Sequence, residues 1–322
     1  MSPRQRLIAA LALALCLAPA GLRAASVNMP GGVDYMRLAA LEKELANAKD
    51  ESQATRMAEN QKMAVYLDLL GIGKDTESQL LFTGQKTLSE DSPDKVRDRF
   101  INKIVSTGRF RAYDARNSQS GVEDQTSIYV HGRILSRHQD ILDRLGVRKA
   151  VTVVTLGLQI KDSRDGKILK TATVNGVYGD GAGEGELIPR DKKLNDPVVQ
   201  ANLRNSYLKA LDWALELAAA EIERTYRPMG IVLASGKEGV TLYGGLAHGI
   251  QPKDRFVVFR SQPIPGVVRR DLGQKIPLAV IECMPDQTSS TCTIVDKGSG
   301  TALQLNDPAV LTDQSLKLKG DE

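Results

Sequence analysis

Apolar residues recur at helical spacing near the start of the chain. Leu38, Leu41, Leu45 and Ala48 fall on one stripe, with Glu42, Lys43, Glu44, Lys49 and Asp50 between them. The pattern predicts a helix over 33–64, opened by Pro30, Gly31 and Gly32. The stripe is narrow, as in a packing or coiled-coil helix. The arm over 25–64 therefore lies on its own chain or joins a second one. From about Val65 to Arg227 the pattern mixes periods of 2 and 3.6. Leu80 to Thr83 reads as a short strand. Ser92 and Pro93 open a helix whose face is Val96, Phe100, Ile104 and Val105, and Gly108 ends it. Strands are predicted at Phe110 to Asp114 and Ser127 to Leu135, then at Ala150 to Lys161 and Ile168 to Tyr178. The last two are joined by the Asp-Gly turn of DSRDGK as the one long hairpin. Gly179 to Glu186 reads as a disordered acidic loop. Asp196 and Pro197 open a long helix carrying Val199, Leu203, Leu208, Leu211, Leu215, Ala218 and Ile222, and Pro228 and Gly230 stop it.

After Ile231 the pattern becomes all β. Short strands are predicted at 230–234, 240–243, 255–260, 276–283, 291–296 and 309–311, punctuated by Gly, Pro and Asp. Six such strands suggest a small barrel or sandwich. The expected class is α+β. The segments are a leader at 1–24, the arm at 25–64, an α/β unit at 65–229 and a small β unit at 230–322.

Composition changes this picture mainly at the first two dozen residues. Arg4 and Arg6 precede an apolar run from Leu7 to Ala18, then Pro19, Gly21 and the small residues Ala24, Ala25 and Ser26. A basic start, a short apolar core and a small-residue cleavage region read as a secretory signal peptide, cut near Ala24. The run is shorter than the roughly 20 residues a spanning helix needs. Leu15 before Cys16 argues against lipid attachment. Removal of the leader takes away Arg4, Arg6 and Arg23, so Lys plus Arg falls from 43 to 40 against 39 acids. The near-neutral remainder gives no electrostatic case for nucleic acid. Export also leaves two cysteines, Cys283 and Cys292, flanking the polar turn MPDQTSST. A disulfide between them is expected in an oxidising periplasm.

Candidate chemistry is sparse. His131 and His138 are seven apart with no carboxylate fixed on the same face, so a zinc site is not expected. His248 reads as a solvated turn histidine. Gly71-Ile-Gly73-Lys74 lacks the phosphate-loop spacing and carries Asp68 and Asp75 nearby. Ser-x-x-Lys occurs twice, at Ser92–Lys95 and Ser206–Lys209, without its companion motifs. The glycines of 179–185 open no helix and lack a calcium-loop rhythm. No catalytic residue, cofactor site or metal site is assigned.

Three stretches carry a resemblance: FTGQKTLSEDSPDKVRDRFINKIVSTGRFRAYDAR at 82–116, SIYVHGRIL at 127–135 and VTLGLQIKDSRDGKILKTATVNGVYG at 154–179. A helix ending in Ser-Thr-Gly-Arg-Phe before a strand, a Gly-closed apolar strand and a hairpin with a Gly-Lys turn resemble the CsgG family of curli secretion channels. The resemblance covers about 65–227. LYGGLAHGIQPKDRFVVFR at 242–260 resembles the small β-domain that ends the flagellar ring protein FlgT, through Gly249, Asp254, Arg255 and Phe256. Both resemblances imply envelope assembly proteins that act through interfaces, with envelope proteins of flagellar or secretion machinery, or further copies of the chain, as partners. The expected function is therefore a non-enzymatic periplasmic assembly or secretion-associated role. The alternatives are an outer-membrane pore-forming subunit and a periplasmic ligand-binding module or hydrolase. Gly249, Asp254, Arg255 and Phe256 are expected to form a structural turn.

Overall fold

A computed structural model describes residues 35–47, 62–82, 92–117, 127–144, 147–163, 166–181, 185–236, 239–262, 274–298 and 302–312. The predicted leader at 1–24 lies outside the described residues. The class is α+β, with one mixed five-stranded sheet and one closed six-stranded barrel.

The sheet contains β1 (Met63–Gln79), β2 (Phe110–Asp114), β3 (Ser127–Arg144), β4 (Val147–Asp162) and β5 (Ile168–Tyr178), in the order β2-β1-β3-β4-β5. β2 and β3 run parallel to β1, whereas β3, β4 and β5 form an antiparallel meander. Two helices, α2 (Pro93–Ser106) and α3 (Pro197–Thr225), pack on one face. Both helix starts follow the local chemistry. The Ser92 hydroxyl accepts from the Lys95 N–H, the Asp196 carboxylate accepts from the Val198 N–H, and a proline follows each cap. Val96, Phe100 and Ile104 of α2 meet Val199, Leu203, Tyr207, Leu211, Leu215 and Ile222 of α3 over Val65, Leu67, Val130, Leu156 and Ile160. Close approach of α3 depends on Gly176 of β5, where an added Cβ would stand 2.1 Å from the Ala210 carbonyl oxygen. Ion pairs Arg99–Asp212 and Lys103–Glu216 stitch the helices together.

The barrel is made of β6 (Met229–Ser235), β7 (Val240–Tyr243), β8 (Asp254–Gln262), β9 (Gln274–Pro285), β10 (Ser289–Lys297) and β11 (Pro308–Thr312), closed in the order β10-β7-β6-β11-β8-β9. All six correspond to strands expected from the pattern, and closure settles barrel against sandwich. Val232, Leu242, Phe256, Val258 and Ile281 fill the interior. Cys283 and Cys292 pair directly across β9 and β10, are fully buried and form the expected disulfide. The first helix, α1 (Tyr35–Asn47), lays Leu38 and Leu41 on the outside of this barrel, against Met229, Ile231, Tyr243, Phe259 and Val310.

Several expectations need correction. The helix is described over Tyr35–Asn47 and does not reach residue 64: residues 48–61 lie outside the described residues, and Met63 and Ala64 are already in β1. Met63, Ala64 and Val65 are buried in succession at the start of β1, and alternation begins only with the partly exposed Tyr66 and Asp68. Leu80 and Phe82 belong to the core beyond the end of β1 and are not a strand. Val105 is 49% exposed and leaves the buried face of α2. β3 continues to Arg144 and makes a second long hairpin with β4, past a bulge between Ile134 and Ser136. The segment after β5 is held in place: the Ala150 N–H donates to the Glu186 carbonyl and the Ile188 N–H donates to the Arg148 carbonyl. It extends the sheet beside β4 where β5 has ended, which explains its order; residues 182–184 lie outside the described residues.

Candidate functional site

Two features of the fold combine: a clasp between sheet and barrel, and a sheet face that no described helix covers. The clasp begins where α2 ends. Thr107 caps the helix and Gly108 turns with φ +70°, which sends the Arg109 side chain towards the barrel. The Arg109 guanidinium donates to both carboxylate oxygens of Asp254, at 2.7 and 2.9 Å, and to the Gly249 carbonyl at 3.0 Å. Its Nε donates to Glu223 on α3. Asp254 also accepts from the Gln251 N–H at 2.7 Å. One arginine therefore joins α3, the turn at Gly249 and the first residue of β8. Burial would lower the Arg109 pKa, but the carboxylates of Asp254 and Glu223 outweigh it and raise the pKa above its usual value.

The expected turn residues all sit at or beside this joint. Gly249 adopts φ +84°, and a Cβ there would stand 2.8 Å from the Arg109 carbonyl oxygen, so both conformation and space demand glycine. Asp254 receives the clasp. Arg255 faces Glu282 across β8 and β9, with Nε donating at 2.9 Å. Phe256 points inward and is fully buried in the barrel. A cleft of about 350 Å³ lies beside the clasp, lined by Arg109, Glu223, Arg224, Arg227, Asp254 and Thr312. His248 is not solvated. It is buried, and its Nδ1 accepts from the Gly245 N–H at 3.1 Å, because the turn folds back on Tyr243. The Gly-Arg-Phe turn is visible in the sequence, but nothing local pairs Arg109 with its partners in the barrel, which lie 140 and 145 residues away.

On the sheet, side chains facing away from α2 and α3 are laid out by register. Tyr113, Tyr66 and Tyr129 stand side by side across β2, β1 and β3. Their rings stack at centroid distances of 5.5 and 5.2 Å, and Tyr113 and Tyr129 stay 41% and 38% exposed. The adjacent row contains Asp68, His131, Gln159 and Thr171. His131 Nδ1 is 3.2 Å from Asp68, and His138 Nε2 is 2.7 Å from Asp140. Beyond them Gly157 leaves a hollow of about 350 Å³ bounded by His131, Arg133, Leu135, Gln159, Thr171 and Thr173.

The other motifs do not converge. Gly71 to Lys74 lies inside β1 rather than between a strand and a helix. Ser92 caps α2, and the Ser206 hydroxyl is buried against Thr152 while Lys209 reaches Glu186 and Tyr178, so neither Ser-x-x-Lys pair meets. Among the described residues no group of three or more His, Cys, Asp or Glu is placed to hold a metal, and no helix is long and apolar enough to cross a membrane.

No family model matches the chain, and no curated protein matches it. Among solved structures, a minor lipoprotein from Acinetobacter baumannii is 14% identical, with 51% of this chain and 89% of that chain covered and a TM-score of 0.27. The hypothetical protein CT253 from Chlamydia trachomatis is 9% identical, with 51% and 97% covered and a TM-score of 0.29. Neither likeness bears on function at that level.

Proposed function

We propose that the chain is a non-enzymatic, exported protein of the cell envelope that works as a two-part adaptor, with the bare sheet face as its docking surface. The observation that carries this reading is the row Tyr113–Tyr66–Tyr129, aligned on a face that α2 and α3 leave uncovered, with Tyr113 and Tyr129 exposed on either side of Tyr66. Tyrosine supplies large, rigid contact area with a polar tip and is enriched at the centres of protein interfaces. The row stands on the parallel strands β2, β1 and β3, and parallel strands are normally covered on both faces; three adjoining aromatic rings on an uncovered one need another role. The clasp at Arg109 fixes the barrel to the sheet, so a partner held on one unit is presented at a set angle to the other. The leader pattern at 1–24 supports export and the periplasm, and the Cys283–Cys292 disulfide fits an oxidising compartment. Likeness of the motifs to the CsgG and FlgT families supports an assembly role.

The test uses a Tyr66→Ser, Tyr129→Ser double variant in the producing cell. The variant should reach the envelope at the level of the parent chain and lose the higher-mass complexes that the parent forms on native gels. Unchanged complexes, or a parent chain that stays in the cytoplasm, contradict the proposal.

A further inference from the structure

The sheet ends on β5. Among the described residues this strand of 11 residues pairs on one side only, with β4, and leaves a full row of backbone donors and acceptors on the other. Edges of this length are normally shortened, charged or covered, because they invite another strand. β5 has no proline, and large apolar side chains stand exposed beside its edge. Ile168 is 49% exposed, Leu169 43%, and Trp213 on the overlying α3 is 52%. A recess of about 540 Å³ next to Trp213 is lined by Val177, Tyr178, Asp180 and Lys209.

We infer that β5 pairs antiparallel with β5 of a second copy, with Thr173 on the twofold axis. This deepens the interface reading above and rests on it, naming a second copy as one partner. The register follows from the side chains. With Thr173 opposite its own equivalent, Ala172 faces Val174, Thr171 faces Asn175 and Lys170 faces Gly176, up to the bulge at Leu169. From Lys170 to Gly176 each even-numbered residue meets another on the helix side and Thr173 meets Thr173, while the bulge before Lys170 turns Ile168 to the opposite face. Such pairs are the stabilising units of a sheet. Lys167 at one end of β5 falls beside Gly179 and Asp180 of the other copy, and Asp180 makes no ion pair among the described residues. Moving the axis to Ala172 places Lys170 opposite the buried Val174 instead. A one-residue offset with mixed parity would turn core-facing side chains to the wrong side.

The helices fit the same arrangement. α3 lies over β4 and β5. Continuing the sheet at the usual strand spacing of about 4.8 Å sets the two α3 axes roughly 10 Å apart, a normal helix-packing distance. Trp213, beside Val177 and Tyr178, then stands near the Ile168–Leu169 end of the other copy. The contact is isologous and closes on itself, so it stops at two copies.

Oxidative cross-linking tests the register directly. Opposed residues in an antiparallel pair have Cα atoms about 4.5–5.5 Å apart, within disulfide reach. The native cysteines of the barrel are already bonded to each other. The purified exported chain should show twice the monomer mass by light scattering. Its Thr173→Cys variant should link almost completely on a non-reducing gel, whereas Thr171→Cys, whose equivalents would be roughly 13 Å apart, should not. Mixed Thr171→Cys and Asn175→Cys chains should link to each other. Trp213 is the single tryptophan, so its emission should shift to the red as the protein is diluted to monomer. A monomer at all concentrations, or a dimer that links Thr171→Cys as well as Thr173→Cys, overturns the inference. If the chain is monomeric and the Tyr66→Ser, Tyr129→Ser variant still loses its envelope complexes, the adaptor reading survives without the dimer.

Discussion

Arg109 and Asp254 form a two-pronged ion pair, 2.7 and 2.9 Å, between the end of α2 and the start of β8. Both side chains are nearly buried, at 13% and 11% exposure, so this pair is not the weak surface type. Removing one partner strands the other charge. Arg109→Ala should destabilise the chain by about 2–4 kcal/mol, less than a fully buried pair would cost. Urea unfolding checks this. Arg109→Lys should recover only part of the loss, because an ammonium cannot span both oxygens and Glu223 together.

Gly249 makes a second demand at the same joint. Gly249→Ala places a Cβ against the Arg109 carbonyl and forces φ +84° on a residue that resists it. A loss of about 2 kcal/mol is expected, visible as a lowered Tm. Coupling to Arg109→Ala in a double-mutant cycle should be clear, since the two sites touch.

Gly176 governs the helix layer rather than the joint. Gly176→Ala should push α3 off β5, because the new methyl would meet the backbone at Ala210 and Ala214. The expected cost exceeds that of Gly249→Ala and includes loss of near-UV circular dichroism, with the barrel disulfide intact.

Within the barrel, Cys283 and Cys292 close a loop of sequence separation 9 from inside the apolar core. The Cys283→Ala, Cys292→Ala variant should lose roughly 2–3 kcal/mol, read from urea midpoints.

Acid should act at Glu221. Its carboxylate accepts from Lys170 at 2.6 Å and from Arg224 at 2.9 Å, and these bonds hold its pKa below the ordinary value of 4.5. A depressed folded-state pKa means stability that is fully present above the unfolded value and is lost as pH falls through the folded one. Glu221→Gln should therefore lower the urea midpoint at pH 7, where this stabilisation is fully present, and flatten the further fall below about pH 4.5.

Much of this fold was legible because its signals are local. The six barrel strands are each short and bounded by Gly, Pro or Asp, and Ser92 and Asp196 sit next to their prolines at the helix starts. The start of β1 was not legible because Met63, Ala64 and Val65 are buried in succession and give no alternation to count. The site was only half legible. Gly249, Asp254, Arg255 and Phe256 stood out as a turn, and the Gly-Arg-Phe turn at 108–110 stood out separately. Their contact spans 145 residues, and no period in the chain encodes it. The tyrosine row was hidden for the same reason, since Tyr66, Tyr113 and Tyr129 become neighbours only when three strands take their register.

The measurement that tests the adaptor reading most directly is photo-cross-linking in the intact cell, with a benzophenone side chain in place of Tyr129 and, separately, of Val198 on the helix side. The account predicts a discrete adduct with a second protein from Tyr129 and none of that mass from Val198, which is equally open to solvent at 47% exposure. No adduct from Tyr129, or the same adduct from both positions, would contradict it.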